Sequence, residues 1–444
     1  MSLSALSRRL LRAAGWIVPA ALLAAACGKS RPSFLLVVVD ALRADHLGCY
    51  GYNRNTSPAL DSLANAGVLW SRAQAQAPWT LPAGASILSG LTVRSHRVMQ
   101  TAYHLYGMPP DMPTAATLLS AEGYATTGQV NGYWMGPELG FHRGFRHFSA
   151  YPNGHGRARL AVDELMGMIE GLDPHKPFFA FLHLYDVHSP YHPPSEYGGL
   201  WAENPASGRF HWDADHLGGV VRDPENRQRY VDLYDGEIRW TDAQLARLFA
   251  WLRETGRAET TVVIVTADHG EEFLDHGWIE HSVTLYQEVL HIPLLAAGPG
   301  IPRGVVDSTV VGQIDLLPTL LEMASAELPR HLEGRCLMPV GSGAGRAMPS
   351  SGPTPEHRAS GGIRDRNLIA VRQGDLKLIW DADADSAVMY DLASDPAEMS
   401  PLPPDSGFLR EAMRCWAAPR AFEPMEVEGP EGEEAEMLRN LGYI

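Results

Sequence analysis

Positive charge is what this chain has least of. It carries 36 Lys and Arg against 52 Asp and Glu, for a formal net charge of −16. It therefore offers no basic surface of the kind a phosphate backbone requires, and nucleic acid is excluded as a partner. Cysteine is also scarce. Cys27, Cys49, Cys336 and Cys415 are the only four, which argues against a disulfide framework and leaves a Cys336–Cys415 pair open. Long apolar runs are missing after the first 26 residues, where no stretch approaches the roughly 20 consecutive apolar residues that span a bilayer. Internal repeats are absent as well. What the chain does have is 45% hydrophobic residues over 444 positions, enough to bury a large core in one big domain with a smaller one beside it.

Residues 1–26 read as a signal peptide. Arg8, Arg9 and Arg12 precede an apolar run from Trp16 to Leu23, and Ala24-Ala25-Ala26-Cys27 follows. This resembles a bacterial lipoprotein signal, which implies cleavage before Cys27 and lipid on Cys27 itself. The alternative is an ordinary secretory signal cut after the alanines. Either way the mature chain is expected to be exported, on the periplasmic side of a membrane or at the cell surface, with any membrane contact made through the lipid alone. Removing residues 1–26 takes away three arginines and no acid, which carries the formal charge from −16 to −19.

From residue 33 to about 330 the pattern is that of an α/β domain. Ser33–Asp40, Pro177–Leu184 and Thr260–Thr266 are continuous apolar runs of the kind that form parallel strands buried on both faces. Val68–Ala75, Tyr124–Asn131 and His291–Ala297 read as further strands. Helices are expected at 58–66, 80–89, 114–121, 160–169, 226–256 with a break near Gly236, and 313–324. Alternating strands and helices predict a mostly parallel sheet sandwiched by helices. A long loop to about Asp223 is a natural substrate-shaping element. Residues 331–362, dominated toward their end by Gly, Ser, Pro and Ala, read as a linker. Residues 363–444 read as a small α+β subdomain, an antiparallel sheet with a helix near 408–417, ending in a mobile or surface-draped acidic segment at 423–436.

The chemistry-bearing residues stand where these elements end. Asp40 closes the first strand, Asp268-His269 leave a late one, and Thr80 opens the helix within Ala77–Gly90. Open α/β sheets bind ligands at the carboxyl ends of their strands, so all four should meet at one edge. Two carboxylates, an imidazole and a hydroxyl make a mixed O/N set suited to a divalent metal. Thr80 reads as a nucleophile, although by itself a Thr in that place is more often a helix cap.

The whole pattern resembles the sulfatase family of the alkaline phosphatase superfamily, over nearly the full length after the signal. The pieces that carry the resemblance are VVVDALRADHLGCYGY at 37–52, TLPAGASILSG at 80–90, HSPY at 188–191, YDGEIRWTD at 234–242, TADHGEEF at 266–273, LYQEVLHIPLLAAGPG at 285–300 and QIDLLPTLL at 313–321. VRQGDLKLI at 371–379, MYDLASDPAE at 389–398 and the closing LRNLGYI match in the small domain. The resemblance implies an alkaline-phosphatase-like fold, with Asp40, Thr80, Asp268 and His269 holding metal, Thr80 at the nucleophile position, and His188 and His281 contacting the substrate's oxyanion or leaving group.

The departures from the family pattern decide the expected chemistry. Family members carry Cys or Ser at the nucleophile, matured to formylglycine, with Pro two residues on and Arg four residues on; here the residues are Thr80, Pro82 and Gly84. A threonine cannot become that aldehyde, so no formylglycine is expected. Ala41 stands where a second Asp is usual and His269 where Asn is usual, which shifts the preference from Ca toward Mn or Zn. One divalent metal is expected, because Asp186 and His188 are two apart rather than the four typical of two-zinc relatives. His183 reads as a packed strand residue, His192 as a loop residue, and His276 and His291 as structural.

The expected activity is hydrolysis of sulfuric or phosphoric esters, the substrate being a small-molecule, glycan or lipid ester. The Thr nucleophile favours phosphoryl over sulfuryl substrates. Two alternatives stay open, namely an envelope phosphoryl-group transferase of phosphoethanolamine or glycerophosphate type, and a catalytically degenerate binding protein. Neither the natural ester nor the oligomeric state follows from the sequence.

Overall fold

In a computed structural model of the chain, residues 31–101, 104–152, 156–201, 224–341, 345–357, 363–417, 422–423, 425–432 and 435–436 are described. Residues 1–26 and Cys27 lie outside these, as do most of the long loop before Asp223 and the closing LRNLGYI. Among the described residues no helix is long and apolar enough to cross a membrane.

Eight strands form the central sheet: β1 (Ser33–Val39), β2 (Val68–Gln74), β5 (Ala125–Asn131), β6 (His147–Tyr151), β7 (Phe178–Leu184), β8 (Thr261–Ala267), β11 (Leu294–Ala297) and β12 (Val305–Gly312). Their order is β12-β2-β11-β8-β1-β7-β5-β6. All neighbours are parallel except β11, which runs against both β8 and β2. The mostly parallel sheet is as expected. β1, β7 and β8 are buried along their whole length, which is why they read as unbroken apolar runs. Short strands complete the domain: β3 (Met99–Gln100), β4 (Leu105–Gly107), β9 (Glu272–Phe273) and β10 (Ile279–Glu280).

The helices that matter to the site are α1 (Pro58–Ala66), α2 (Thr80–Ser89), α3 (Ala115–Ala121), α4 (Ala158–Glu170), α5 (Pro224–Glu254), α6 (Gln287–Leu290) and α7 (Leu316–Met323). Pro58 at the first helical position of α1 and the left-handed Gly90 after α2 mark boundaries legible in the sequence. α5 departs from expectation, since it is one unbroken helix of 31 residues. Gly236 is there for close approach rather than for a break: a Cβ on it would sit 2.9 Å from Pro193 Cγ and 3.1 Å from the Tyr197 carbonyl oxygen. Asp235 and Asp242 of the same helix are buried anchors. Asp235 accepts from Tyr52 and Arg54 and pairs with His46, and Asp242 accepts from the Ala59 and Leu60 N–H groups that open α1.

The stretch expected as a linker is in part a strand. β13 (Met348–His357) pairs antiparallel with β14 (Ile363–Gln373), and β15 (Leu376–Asp381) and β16 (Ser386–Asp391) extend the sheet in that order. β13 lies at the sheet edge, where Pro349, Pro353 and Pro355 can stand without breaking an interior ladder. Its Pro and Ser content is what makes it read as a loop. α8 (Ser406–Trp416) packs on β14 and β15, and Ile369, Val371, Leu378, Trp380, Met389 and Ala412 form a second small core. Within the acidic tail, β17 (Met425–Val427) pairs with β4 instead of hanging free. Cys49, Cys336 and Cys415 are free thiols, so Cys336 and Cys415 do not pair.

Asp186, just past β7, is a structural acid. Its Oδ1 accepts from the Ala158 N–H at the start of α4 (3.1 Å) and from Trp240 Nε1 (2.9 Å). Burial pushes its carboxyl up to about 6. An acid raised in this way adds most to stability below its unfolded pKa and loses that contribution as pH rises through 6. Asp186→Asn keeps an acceptor and removes the buried charge. It should therefore raise stability by about 1–3 kcal/mol at pH 8 and leave it unchanged at pH 4, read from thermal melts at the two pH values.

Candidate active site

The register of the central strands assembles the first half of the site. Val39 of β1 pairs with Ala267 of β8, so the next residues, Asp40 and Asp268, leave the sheet side by side, both fully buried. Asp268 Oδ1 accepts from the Ala41 N–H (3.1 Å) and the His269 N–H (2.8 Å). Ala41 has a left-handed backbone (φ 53°), held from the other side by Tyr234 Oη donating to its carbonyl at 2.7 Å. On the other side of β1, Val38 pairs with His183 of β7, which puts His183 on the same face of the sheet as Asp40. His183 Nε2 lies 3.2 Å from Asp40 Oδ2.

Thr80 enters from the opposite side as the first residue of α2, after Trp79. It is not a helix cap. Its Oγ1 stands 3.4 Å from Asp40 Oδ2 and 3.3 Å from His269 Nε2. All ten residues of α2 are buried, and the helix packs so closely that a Cβ on Gly84 would lie 2.6 Å from Met135 Cε and 3.1 Å from Phe141 Cε1. A side chain at this position would have to displace Met135 and Phe141.

His188 and His281 complete the cluster. The His281 ring lies 4.2 Å from that of His269 and 4.9 Å from that of His188, centroid to centroid. His188 stacks on Tyr185 at 4.3 Å, and its Nδ1 faces the Ser189 carbonyl. Glu271 links the group together, with Oε1 at 2.9 Å from His281 Nδ1 and Oε2 accepting from Tyr191 Oη at 2.7 Å. Burial pushes Glu271 up to about 8 and His281 down to about 4.

All of the residues expected at the site thus converge: Asp40, Thr80, Asp268, His269, His188 and His281. A family model described as Sulfatase matches residues 32–326 of the chain. The chain belongs to the sulfatase family. A second model, described as N-sulphoglucosamine sulphohydrolase, C-terminal, matches residues 274–411. An arylsulfatase of Clostridium perfringens is 24% identical over 442 residues, covering 84% of this chain and 90% of the relative. Among solved structures, a protein in complex with its substrate D-glucosamine-2-N,6-O-disulfate superposes with a TM-score of 0.72 at 18% identity, over 93% of this chain and 98% of that one. The phosphonate monoester hydrolase of Agrobacterium radiobacter superposes with a TM-score of 0.68 at 20% identity, over 87% and 94%. These two establish the shared fold. As a member of the family, this chain is a sulfatase-like ester hydrolase.

Two residues of this sulfatase-family chain join the site without a signal in the sequence. His183 was expected as a packed strand histidine, yet with Asp40 and Asp268 it forms a buried group whose ligand atoms all lie within 4.8 Å of one another. A histidine inside an apolar run looks like core, and only the β1–β7 register shows that it shares a face with Asp40. Glu271 is one of three acids in TADHGEEF, and nothing in that stretch sets it apart. Asp186, weighed as a ligand of a second metal, is instead turned to α4 and Trp240.

The donor set fits one divalent cation. Asp40 Oδ1, Asp268 Oδ2 and His183 Nε2 are buried and make no hydrogen bond. His183 Nδ1 faces the Asn131 carbonyl at 2.5 Å and His269 Nδ1 the Gly270 carbonyl at 2.8 Å, so each ring carries its proton there and turns the Nε2 lone pair inward. His269 Nε2 lies 3.4 Å from Asp268 Oδ2 and 3.6 Å from Asp40 Oδ1. Burial, reinforced by Asp268, holds the Asp40 carboxyl well above its ordinary range. Carboxylates and lone pairs crowded together without water call for a cation. Chelation of the purified protein should therefore lower its melting temperature, and readdition should restore it. His183→Ala should weaken metal binding in a calorimetric titration by more than the roughly 10–100-fold typical of an outer-shell partner; unchanged affinity would remove His183 from the ligand set.

Proposed function

We propose that this chain hydrolyses phosphoric or sulfuric esters with Thr80 as nucleophile, and that phosphoryl esters are its better substrates. The observation that carries this reading is the position of Thr80 Oγ1 between Asp40 Oδ2 and His269 Nε2, with Gly84 closed off by Met135 and Phe141. Asp40, Asp268, His183 and His269 would hold a single divalent cation, and their two imidazoles beside two carboxylates favour Mn or Zn over Ca. Such a cation would supply positive charge to acidify the Thr80 hydroxyl and to offset charge on the non-bridging oxygens of the ester.

The protein's own residues account for the rest. The Thr80 proton has an acceptor within reach, Asp40 Oδ2 at 3.4 Å. Oγ1 bonds to phosphorus or sulfur as the bond to the leaving oxygen breaks, and that oxygen takes a proton from an imidazole. His281 is the better placed donor, because the Glu271 carboxyl, pushed up by burial, can pass its proton to Nδ1 as Nε2 gives its own to the leaving oxygen; His188 stands beside it. Water then displaces the Thr80 ester by direct attack. A formylglycine diol can release sulfate by collapsing to the aldehyde without a second attack at sulfur; a threonine ester has no such route. Displacement at phosphorus is the easier of the two, which is why phosphoryl substrates are favoured.

We also propose that the chain is exported and held at a membrane by lipid on Cys27, on the strength of Arg8, Arg9, Arg12 and the Ala24-Ala25-Ala26-Cys27 sequence. Cys27→Ser should move the protein from the membrane to the soluble fraction on cell fractionation; continued membrane association would contradict the anchor. For the chemistry, metal-loaded protein should turn over at least one of an aryl phosphate, an alkyl phosphodiester, a phosphonate ester and an aryl sulfate. Thr80→Ala should lower kcat by about 10³-fold or more on that substrate with little change in metal affinity. Equal turnover by both forms would dismiss Thr80 as nucleophile.

A further inference from the structure

The C-terminal sheet grips the site from two sides. On the first side, β13 lies against the segment that leads into Thr80. The Ser351 N–H donates to the Gln76 carbonyl (2.9 Å), Ser350 Oγ to the Ala75 carbonyl (2.5 Å), and Gln76 Nε2 back to the Pro349 carbonyl (3.0 Å). On the second side, Lys377 of β15 and Glu398, beyond β16, form a fully buried ion pair, with Nζ 2.8 Å from Oε1. Glu398 reaches the segment that carries His281 at two points. Its Oε2 accepts from the Gln287 N–H at the start of α6 (2.6 Å), and its carbonyl faces His276 Nε2 at 3.2 Å. Arg372 of β14 adds a third tie, donating from Nη1 to Gln287 Oε1 at 2.8 Å.

Between these ties the chain is held against its preference. Leu274, Glu280 and Ser282 have left-handed backbones at φ 65°, 67° and 82°, so His281 sits between two non-glycine residues in that region. Glu398 shares the feature at φ 55°. Such a hairpin keeps its shape only when its surroundings hold it. His276 stacks on Tyr286 at 3.5 Å and pairs with Glu288 through Nδ1 (2.5 Å), which closes the tip onto the base. The Ser282 N–H then donates to the Pro78 carbonyl at 3.0 Å, joining the hairpin to the Thr80 turn directly.

We propose that the C-terminal sheet is a positioning brace: the Lys377–Glu398 pair, acting through Gln287 and His276, fixes His281 beside the ring of His269. Lys377 and Glu398 are positioning residues, since neither is part of the Thr80 cluster. The inference rests on the reading of His281 as the leaving-group acid, and its test keeps the two apart.

The test compares three full-length proteins. Replacing a buried ion pair with apolar residues of similar size usually preserves folding, so Lys377→Met with Glu398→Leu cuts the tie to Gln287 without leaving an unpaired charge. Lys377→Met with Glu398→Gln keeps an acceptor for the Gln287 N–H and serves as the rescue. Hydrogen exchange across residues 274–291 should quicken about 10-fold or more in the Leu form, with β1 and β8 unchanged, and should return toward wild type in the Gln form. The Leu form should also lose about 10-fold or more in kcat/KM on an alkyl ester, whose leaving oxygen needs a proton, and less than about 3-fold on a nitrophenyl ester. Unchanged exchange, or equal losses on both esters, overturns the brace. If wild type itself cleaves neither ester, the acid reading of His281 falls, and the exchange measurement alone decides whether the sheet holds the hairpin.

Discussion

Everything in this molecule is arranged around a convergence of electron pairs. Asp40 and Asp268 leave adjacent parallel strands together, His183 brings a lone pair within 4.8 Å of both, and His269 Nε2 stands 3.4 Å from Asp268 and 3.6 Å from Asp40, each ring with its other nitrogen turned to a backbone carbonyl. Out of reach of water, such a cluster is costly by itself and stable around a cation. The surrounding structure follows from that need. Tyr234 holds the left-handed Ala41 so that its N–H can satisfy one oxygen of Asp268, and the burial of β1, β7 and β8 keeps water from competing.

Thr80 draws its meaning from this centre. A hydroxyl at the first position of a buried helix is ordinary, but here it faces a carboxylate and an imidazole rather than its own helix. Gly84 lets α2 pack closely, because Met135 and Phe141 stand where its Cβ would be. In the proposed chemistry the hydroxyl depends on the charge held by its neighbours, and the proton for the leaving oxygen comes from His281 or His188. Tyr191 reaches His281 through Glu271, and the C-terminal sheet ties through Glu398 to Gln287 and His276 of the same segment.

Much of this was legible in the sequence, for a physical reason. A strand buried on both faces must be apolar throughout, so the polar residue that ends it stands out, and Asp40 and Asp268-His269 were visible in that way. Ser57-Pro58 and Gly90 marked helix boundaries by local backbone chemistry. What stayed hidden depended on contacts distant in the chain. His183 looked like core because strand register decides which side it faces. β13 looked like a linker because an edge strand tolerates the Pro and Ser residues that usually mark loops. Gly236 looked like a helix break, although it is there to let Pro193 and Tyr197 approach. Glu271 could not be told from its acidic neighbours until the hairpin brought His281 to it.

The central claim is that Thr80 becomes covalently esterified during turnover. Rapid quenching of metal-loaded protein with an aryl phosphate in acid, followed by peptide mass spectrometry, tests it most directly. The account predicts a phosphorylated peptide spanning Ala77–Gly90 with the added mass on Thr80, absent from Thr80→Ala. Turnover with no adduct on Thr80 under any quench time, or an adduct on another residue, would contradict it.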